Sequence, residues 1–436
     1  MISAARREDI VAALRRGTVP NAGLDALAVG IDALAPVLDE ELAAAATGRA
    51  GFKAVRGEYG SGKTFFGRWL QERARAKGFA SSEVQINETE TPLHRLETVY
   101  RRLVERLGTS DAPSGAFRSV VDGWFYALEQ DVLADGRTDP ADTQALLTKT
   151  EALMEARLSA ISRSAPAFSA VLRAYRKALA AGDLPTAEGL ISWLAGQPNV
   201  AASVKRVAGI KGDLDHFTAA NFLAGLLTIL RDSGYAGLLL VLDEVETLQR
   251  MRADTREKGL NALRQWIDEI DAGRYPGLYL VITGTPAFFD GPQGVQRLAP
   301  LAQRLHVDFG ADRAFDNPRA VQIRLNPFDQ AALVAVGRRV RDIFAEGRAA
   351  EARIRRLVDD AYIETLAKAV TGGLGGKVGV APRLFLKKLV GDVLDRVDLH
   401  EGFDPRQHYR LTLNDTEMTV NERAAAGAAS VDDIEL

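Results

Sequence analysis

The chain of 436 residues is 47% hydrophobic and 26% charged, the make-up of an ordinary globular protein long enough for two or three compact units. It has no cysteine, which excludes disulfides, thiolate catalysis and cysteine-ligated zinc. A net charge of −3 provides no overall basic field for nucleic acid, and the histidines are scattered without an H-E-x-x-H arrangement, so a built-in transition-metal site is not expected.

The N-terminus, MISAARREDIVAALRRG, has no apolar signal core, and no window reaches the ~18 uninterrupted apolar residues of a membrane span. These features predict a cytoplasmic protein without a membrane partner. Residues 3–16 read as an amphipathic helix with Ile10, Val11 and Leu14 on one face, ended by Gly17. Gly17-Thr18-Val19-Pro20 then turns into the segment Leu24 to Gly30, and a further helix is expected near 32–46.

The next stretch organises the rest. Gly57, Glu58, Tyr59, Gly60, Ser61, Gly62, Lys63 and Thr64 satisfy G-x-x-x-x-G-K-[ST], with a short apolar run before and a helical pattern from Phe65 after. This spacing predicts a strand, a phosphate-cradling loop and a helix. Glycines at 57, 60 and 62 are expected at positive φ, so that backbone N–H groups face an anion. Lys63 would reach the β- and γ-phosphates and the Thr64 hydroxyl would ligate Mg²⁺, with Phe65 completing the nucleotide-binding set. The segment ahead of the loop either covers an adenine base with Val19 and Val29 or serves as a packing strap.

Ser82 to Asn87 alternates as a second strand. Thr91 and Pro92 open a helix carrying Leu96, Val99, Tyr100, Leu103 and Leu107. From 110 to 212 the pattern is purely helical. Its basic residues (Arg157, Arg163, Arg173, Arg176, Lys177, Lys205, Arg206 and Lys211) are mixed with acids and suit either a solvated surface or a phosphate-contacting or partner face. A helix over 215–232 leads into Gly237-Leu238-Leu239-Leu240-Val241-Leu242-Asp243-Glu244. An apolar run ending in two carboxylates reads as a buried parallel strand that delivers acids at its C-terminal end. Asp243 would hold the metal through water, and Glu244 would polarise the attacking water.

After a helix around 260–270, Gly277 to Pro286 supplies another buried strand ending in polar residues. Thr283, with Thr285 close behind, is the candidate for a hydroxyl acting on the γ-phosphate or the attacking water, with capping of the next turn as the plainer alternative. The following helix, Val295 to Leu305, carries Arg304 near its end, where it could reach a neighbouring subunit's γ-phosphate. Arg297 and a surface ion pair are the alternatives. Ala320 to Leu325 is a fifth strand, and Asn326-Pro327-Phe328-Asp329 caps the next helix. Residues 329–398 form a helical unit broken by a glycine-rich turn at 372–377. Its last helix begins Ala381-Pro382-Arg383, with Arg383 a candidate γ-phosphate sensor or a surface residue. His408 to Leu413 reads as a short strand, and the tail beyond Asn421 as mobile.

Taken in order, the phosphate loop, acidic strand, polar strand end, arginine and Pro-Arg helix resemble AAA+ ATPases, most of all the initiator/Cdc6-like branch. GTVPNAGLDALAVG (17–30), GEYGSGKTFF (57–66), LDEVETL (242–248), TGTP (283–286) and APRLFLKKLV (381–390) look more closely like the ATP-binding proteins of bacterial BREX phage-defence clusters, the BrxD type, over about residues 1–415. The resemblance implies an α/β P-loop NTPase of AAA+ type, with a parallel sheet, a large helical insertion and a C-terminal helical lid. The expected division is an N-terminal segment (1–50), a core in two parts (51–109 and 213–327) around an insertion (110–212), a lid (328–400) and a C-terminal extension (401–436). It further implies ATP and Mg²⁺ as cofactors, a homo-oligomer with Arg304 supplied in trans, partnership with other defence components, and double-stranded DNA as a candidate partner. The stretch after Leu399 is too short for the winged helix of the initiator pattern. A slowly hydrolysing nucleotide switch that recruits partners is the rival expectation.

Overall fold

The structure is a computed structural model, and it describes residues 2–31, 33–134, 136, 138–326, 328–374, 382–418 and 423. Five parallel strands form its centre: β1 (Gly51–Arg56), β2 (Ala80–Gln85), β3 (Leu238–Asp243), β4 (Leu278–Gly284) and β5 (Gln322–Arg324). Their order across the sheet is β2-β3-β4-β1-β5, with Val55 paired to Thr283, Leu242 to Ile282, and Gln85 to Asp243. The strand of the phosphate loop and the acidic strand are thus separated by β4, whose C-terminal end lies between them.

Burial on both faces follows from the strand period of two. Leu238, Leu240, Leu242, Leu278, Leu280 and Ile282 enter one core, while Leu239, Val241, Tyr279, Val281, Val55 and Ile323 enter the other. The second face is covered by α2 (Ala35–Ala46) and α3 (Lys63–Ala76). One polar intruder sits in β1. Lys53 is 1% exposed and donates to Glu41 on α2 at 2.6 Å and to the carbonyls of Ala320 and Pro318 at 2.8 and 3.2 Å. Tyr279 also donates to Glu41.

The helices between β2 and β3 share the first core with the sheet rather than closing on themselves. Phe168, Trp193 and Tyr100 meet Phe222 edge-on, and Trp124 Nε1 donates to Asp232 at 2.6 Å. The basic residues of this block are largely engaged inside the chain. Arg157 bonds Asp131 and Asp232, Arg173 pairs with Glu155, Arg176 with Glu129, Lys177 with Glu151 and Lys205 with Asp213.

A third core belongs to the C-terminal helices, among them Gln330–Ala345, Asp360–Gly373 and Pro382–Lys387, the last continuing through a π-helical stretch to Leu399. The N-terminal α1 (Ala4–Arg15) joins it through Ile10, Val11 and Leu14. Arg15 fixes it with a two-pronged bond to Asp395 at 2.6 and 2.7 Å.

Several expected bounds shift. β2 spans 80–85 rather than 82–87, and the helix expected from Thr91 starts at Leu96. Val295 to Leu305 is not one helix but a single 3-10 turn, Val295–Arg297, and a helix, Ala299–Leu305. Pro300 can only sit in a helix's first turn, so the helix restarts there. His408 to Leu413 forms no strand. Among the described residues no sheet edge receives it, and Tyr409, Leu411 and Leu413 instead pack on the C-terminal core. Asp329 does cap its helix, accepting from the Ala332 amide at 2.6 Å. Gly375 to Ala381 of the glycine-rich turn and Pro-Arg helix start, Pro327 of the cap, and the tail beyond Asn421 apart from Arg423 lie outside the described residues.

Candidate nucleotide site

β1 ends at Arg56, and the Gly57 amide donates to the Gly284 carbonyl at 3.0 Å, so the loop leaves the sheet beside the end of β4. Gly60 and Gly62 have φ of 79° and 87°, a region open to glycine, and Gly62 is the residue from which α3 starts. Gly57 does not share this conformation, contrary to the expectation from sequence. Its need is steric, because a Cβ there would stand 2.2 Å from Ser61 Oγ. The loop folds tightly enough on itself that Ser61 is buried and its hydroxyl has no hydrogen-bond partner among the described residues.

Lys63 is buried. Its Nζ donates to the Gly57 and Glu58 carbonyls at 2.9 and 3.3 Å and lies 5.2 Å from the centre of the Tyr59 ring. The Tyr59 hydroxyl in turn accepts from Arg250 at 3.0 Å. Thr64 Oγ1 donates to Asp243 Oδ2 at 3.1 Å, the pairing expected of two groups that share a metal ion. The other Asp243 oxygen accepts from the Thr283 hydroxyl, which itself accepts from the Glu244 amide at 3.2 Å. Of the two threonines weighed from sequence, Thr283 is the one that meets the acidic strand. It is fully buried and does not line the cavity.

Glu244 occupies the left-handed region at φ 60°, ψ 40°. A non-glycine residue held there costs about 1–3 kcal/mol and is common at functional sites. Its exposed carboxylate accepts from Gln85 Nε2 at 2.9 Å. The turn that follows returns the chain under the loop, so that Glu246, 5% exposed, brings Oε1 to 3.7 Å from Lys63 Nζ. Burial pushes the Glu246 carboxyl above the usual range, with Lys63 pulling it back and Asp243 and Glu244 adding to the rise. Glu246 and Gln85 were not among the residues singled out from sequence. The only local signal for the first is its place as the third acid of Asp243-Glu244-Val245-Glu246.

A cavity of about 500 Å³ opens beside these groups. Its polar end is Tyr59 to Thr64 with Asp243, Glu244 and Glu246; its apolar end includes Val19, Pro20, Leu27, Val29, Ile31, Phe328 and Val336. Val19 and Val29 therefore stand where a base could lie. The segment carrying them is pinned to α3. Glu72 accepts from the amides of Gly23 and Leu24 at 2.7 and 2.8 Å, Trp69 donates to Asp25, and Arg68 donates to the Val19 carbonyl. Arg383 lines the same cavity with Pro382 and Leu386, and its Nη2 donates to the Glu417 carbonyl at 2.6 Å. Arg304 does not line it. It pairs with Asp268 and donates to the Pro300 carbonyl at 2.7 Å. Arg297 is exposed on its turn.

A glycine-rich loop, an apolar slot and a strand-end carboxylate bonded to the loop threonine thus share one cavity, the candidate nucleotide site. A family model described as BREX system ATP-binding protein BrxC/D matches residues 2–413. The chain belongs to this family. It is accordingly an ATP-binding protein of a phage-defence system, and the match covers the sheet, the helical block and the C-terminal helices alike. No curated protein and no solved structure matches the chain. Among the described residues, no helix is long and apolar enough to cross a membrane.

Proposed function

We propose that this BREX family member is a Mg²⁺-dependent ATPase of AAA+ type that converts ATP binding and hydrolysis into movement of its C-terminal helices and helical insertion. The observation that carries the reading is the convergence of Lys63, Thr64, Asp243 and Glu244 on one cavity end, with a base-sized apolar slot alongside. Lys63 and the loop amides between Glu58 and Phe65 bind phosphate, the Gly57 amide being held by the Gly284 carbonyl. Thr64 and Asp243 are suited to Mg²⁺, which would neutralise developing charge on the phosphates. Thr283 acts by orienting Asp243, and Glu244 orients the attacking water once it leaves Gln85.

Arg383 faces the cavity from the C-terminal lid, so a nucleotide between lid and sheet couples their separation to phosphate occupancy. Arg304 acts in trans across a homo-oligomer, after exchanging Asp268 for a neighbour's phosphate. Other defence components and double-stranded DNA are the proposed partners, with contacts made by the assembled oligomer rather than by the largely paired basic residues of the insertion.

Two contacts favour a slower, switch-like variant: Glu244 bonds Gln85 and Lys63 bonds its own loop. Phosphate release measured across protein concentrations, with and without duplex DNA, separates the two. Specific activity that climbs with concentration and with DNA supports the assembled ATPase. Tight one-to-one ATP binding with negligible, flat turnover supports the switch.

A further inference from the structure

Glu246 has no part in the mechanism above, yet it is buried at the phosphate end of the cavity with one oxygen 3.7 Å from Lys63 Nζ and the other without a hydrogen-bond partner among the described residues. A buried carboxylate with an unmet oxygen has a cost that ordinary packing does not explain. The backbone that delivers it is itself held in an unfavourable conformation, at Glu244. Lys63 is the cation it faces, and Lys63 is also the group that must meet the incoming phosphates. Both anions address one ammonium.

We infer that Glu246 is an internal counter-anion for Lys63, which the β- and γ-phosphates of a nucleotide displace, and that it lowers affinity for nucleoside di- and triphosphates. Glu246 is a positioning residue acting through Lys63. It draws the ammonium toward the loop floor, where Lys63 also bonds the Gly57 and Glu58 carbonyls. On binding, the phosphates take the ammonium and also feel the nearby carboxylate directly, so the same residue speeds release of spent nucleotide. Groups that do not reach Lys63, such as the base, ribose and α-phosphate, are indifferent to it.

This inference rests on the reading that phosphate binds at Gly57 to Thr64. The test is calorimetric titration of full-length wild type and Glu246→Gln with AMP, ADP and ATP. The expected result is a roughly tenfold tightening for ADP and ATP, about 1.4 kcal/mol, with AMP unchanged. A purely structural role would shift all three together. Unchanged or weaker ADP and ATP binding overturns the inference, as does unchanged binding with lost hydrolysis, which would make Glu246 a base. If Glu246→Gln does not fold, Glu246→Asp, which retracts the carboxylate from Lys63, should tighten ADP and ATP by a smaller factor. Equal or weaker binding by that variant is a refutation too. Undiminished ATP binding by Lys63→Ala would instead defeat the underlying phosphate reading, independently of Glu246.

Discussion

The side-chain amide of Gln85 donates to Glu244 Oε2 at 2.9 Å, tying the last residue of β2 to the residue just past the end of β3. Strand register makes this contact, because Gln85 pairs with Asp243 across the sheet. The proposed water-orienting carboxylate is thereby held by a neutral donor at the site's edge. Gln85→Ala removes that restraint, and the expected outcome is faster basal phosphate release, by up to about tenfold, with ATP affinity unchanged. A slower rate in a steady-state phosphate assay would mean that the contact holds Glu244 in its working position.

Thr283 joins the acidic strand to its neighbour through two bonds, one to Asp243 and one from the Glu244 amide. Thr283→Val keeps the shape and deletes both. Leaving buried polar groups without their partner should cost about 1–3 kcal/mol in urea unfolding. The freed carboxylate should also raise the Mg²⁺ concentration needed for ATP binding. A variant with wild-type unfolding and wild-type Mg²⁺ dependence would show that the hydroxyl does not orient Asp243.

Lys53 is a charge on the buried strand of the phosphate loop, and its three acceptors come from α2 and from the chain leading into β5. Lys53→Ala leaves two carbonyls and one Glu41 oxygen without that donor. Breaking such a buried arrangement from one side costs about 3–5 kcal/mol, so the denaturation midpoint should fall steeply. A loss below about 1 kcal/mol would show that water replaces the ammonium there.

Arg304 is engaged by Asp268, which also pairs with Arg264 at 2.7 Å. A half-exposed pair of this kind is worth only about 0–1 kcal/mol, small enough for an arginine that must change partners. Arg304→Ala should leave ATP binding intact and remove the concentration-dependent part of turnover. Asp268→Asn, which weakens the hold on Arg304, should preserve or increase that part. Equal turnover in all three proteins, measured over a protein dilution series, would assign Arg304 to surface packing alone.

Local structure at short sequence separation was legible without coordinates. Gly57 to Thr64 needed only a strand, a glycine-rich loop and a helix in succession, and those arise from local backbone freedom and apolar spacing. Asp243 and Glu244 were marked by the apolar run ending in carboxylates, since a strand buried on both faces must discharge its polar residues at its end. The elements between 110 and 212 read as helices because the 3.6-residue period is a local property.

What the sequence determined by itself, then, was the set of reactive groups near each strand end and the family to which they belong. Tertiary structure alone decided which of those groups meet. Placing β4 between β1 and β3 puts Thr283 against Asp243. The register of β2 on β3 hands Glu244 to Gln85, and the left-handed turn at Glu244 carries Glu246 to Lys63. α1 joins a core built mainly from residues more than three hundred positions away. Such pairings depend on strand order, register and one unusual backbone conformation, which are settled by packing the whole chain and leave no periodic trace in any short stretch of it.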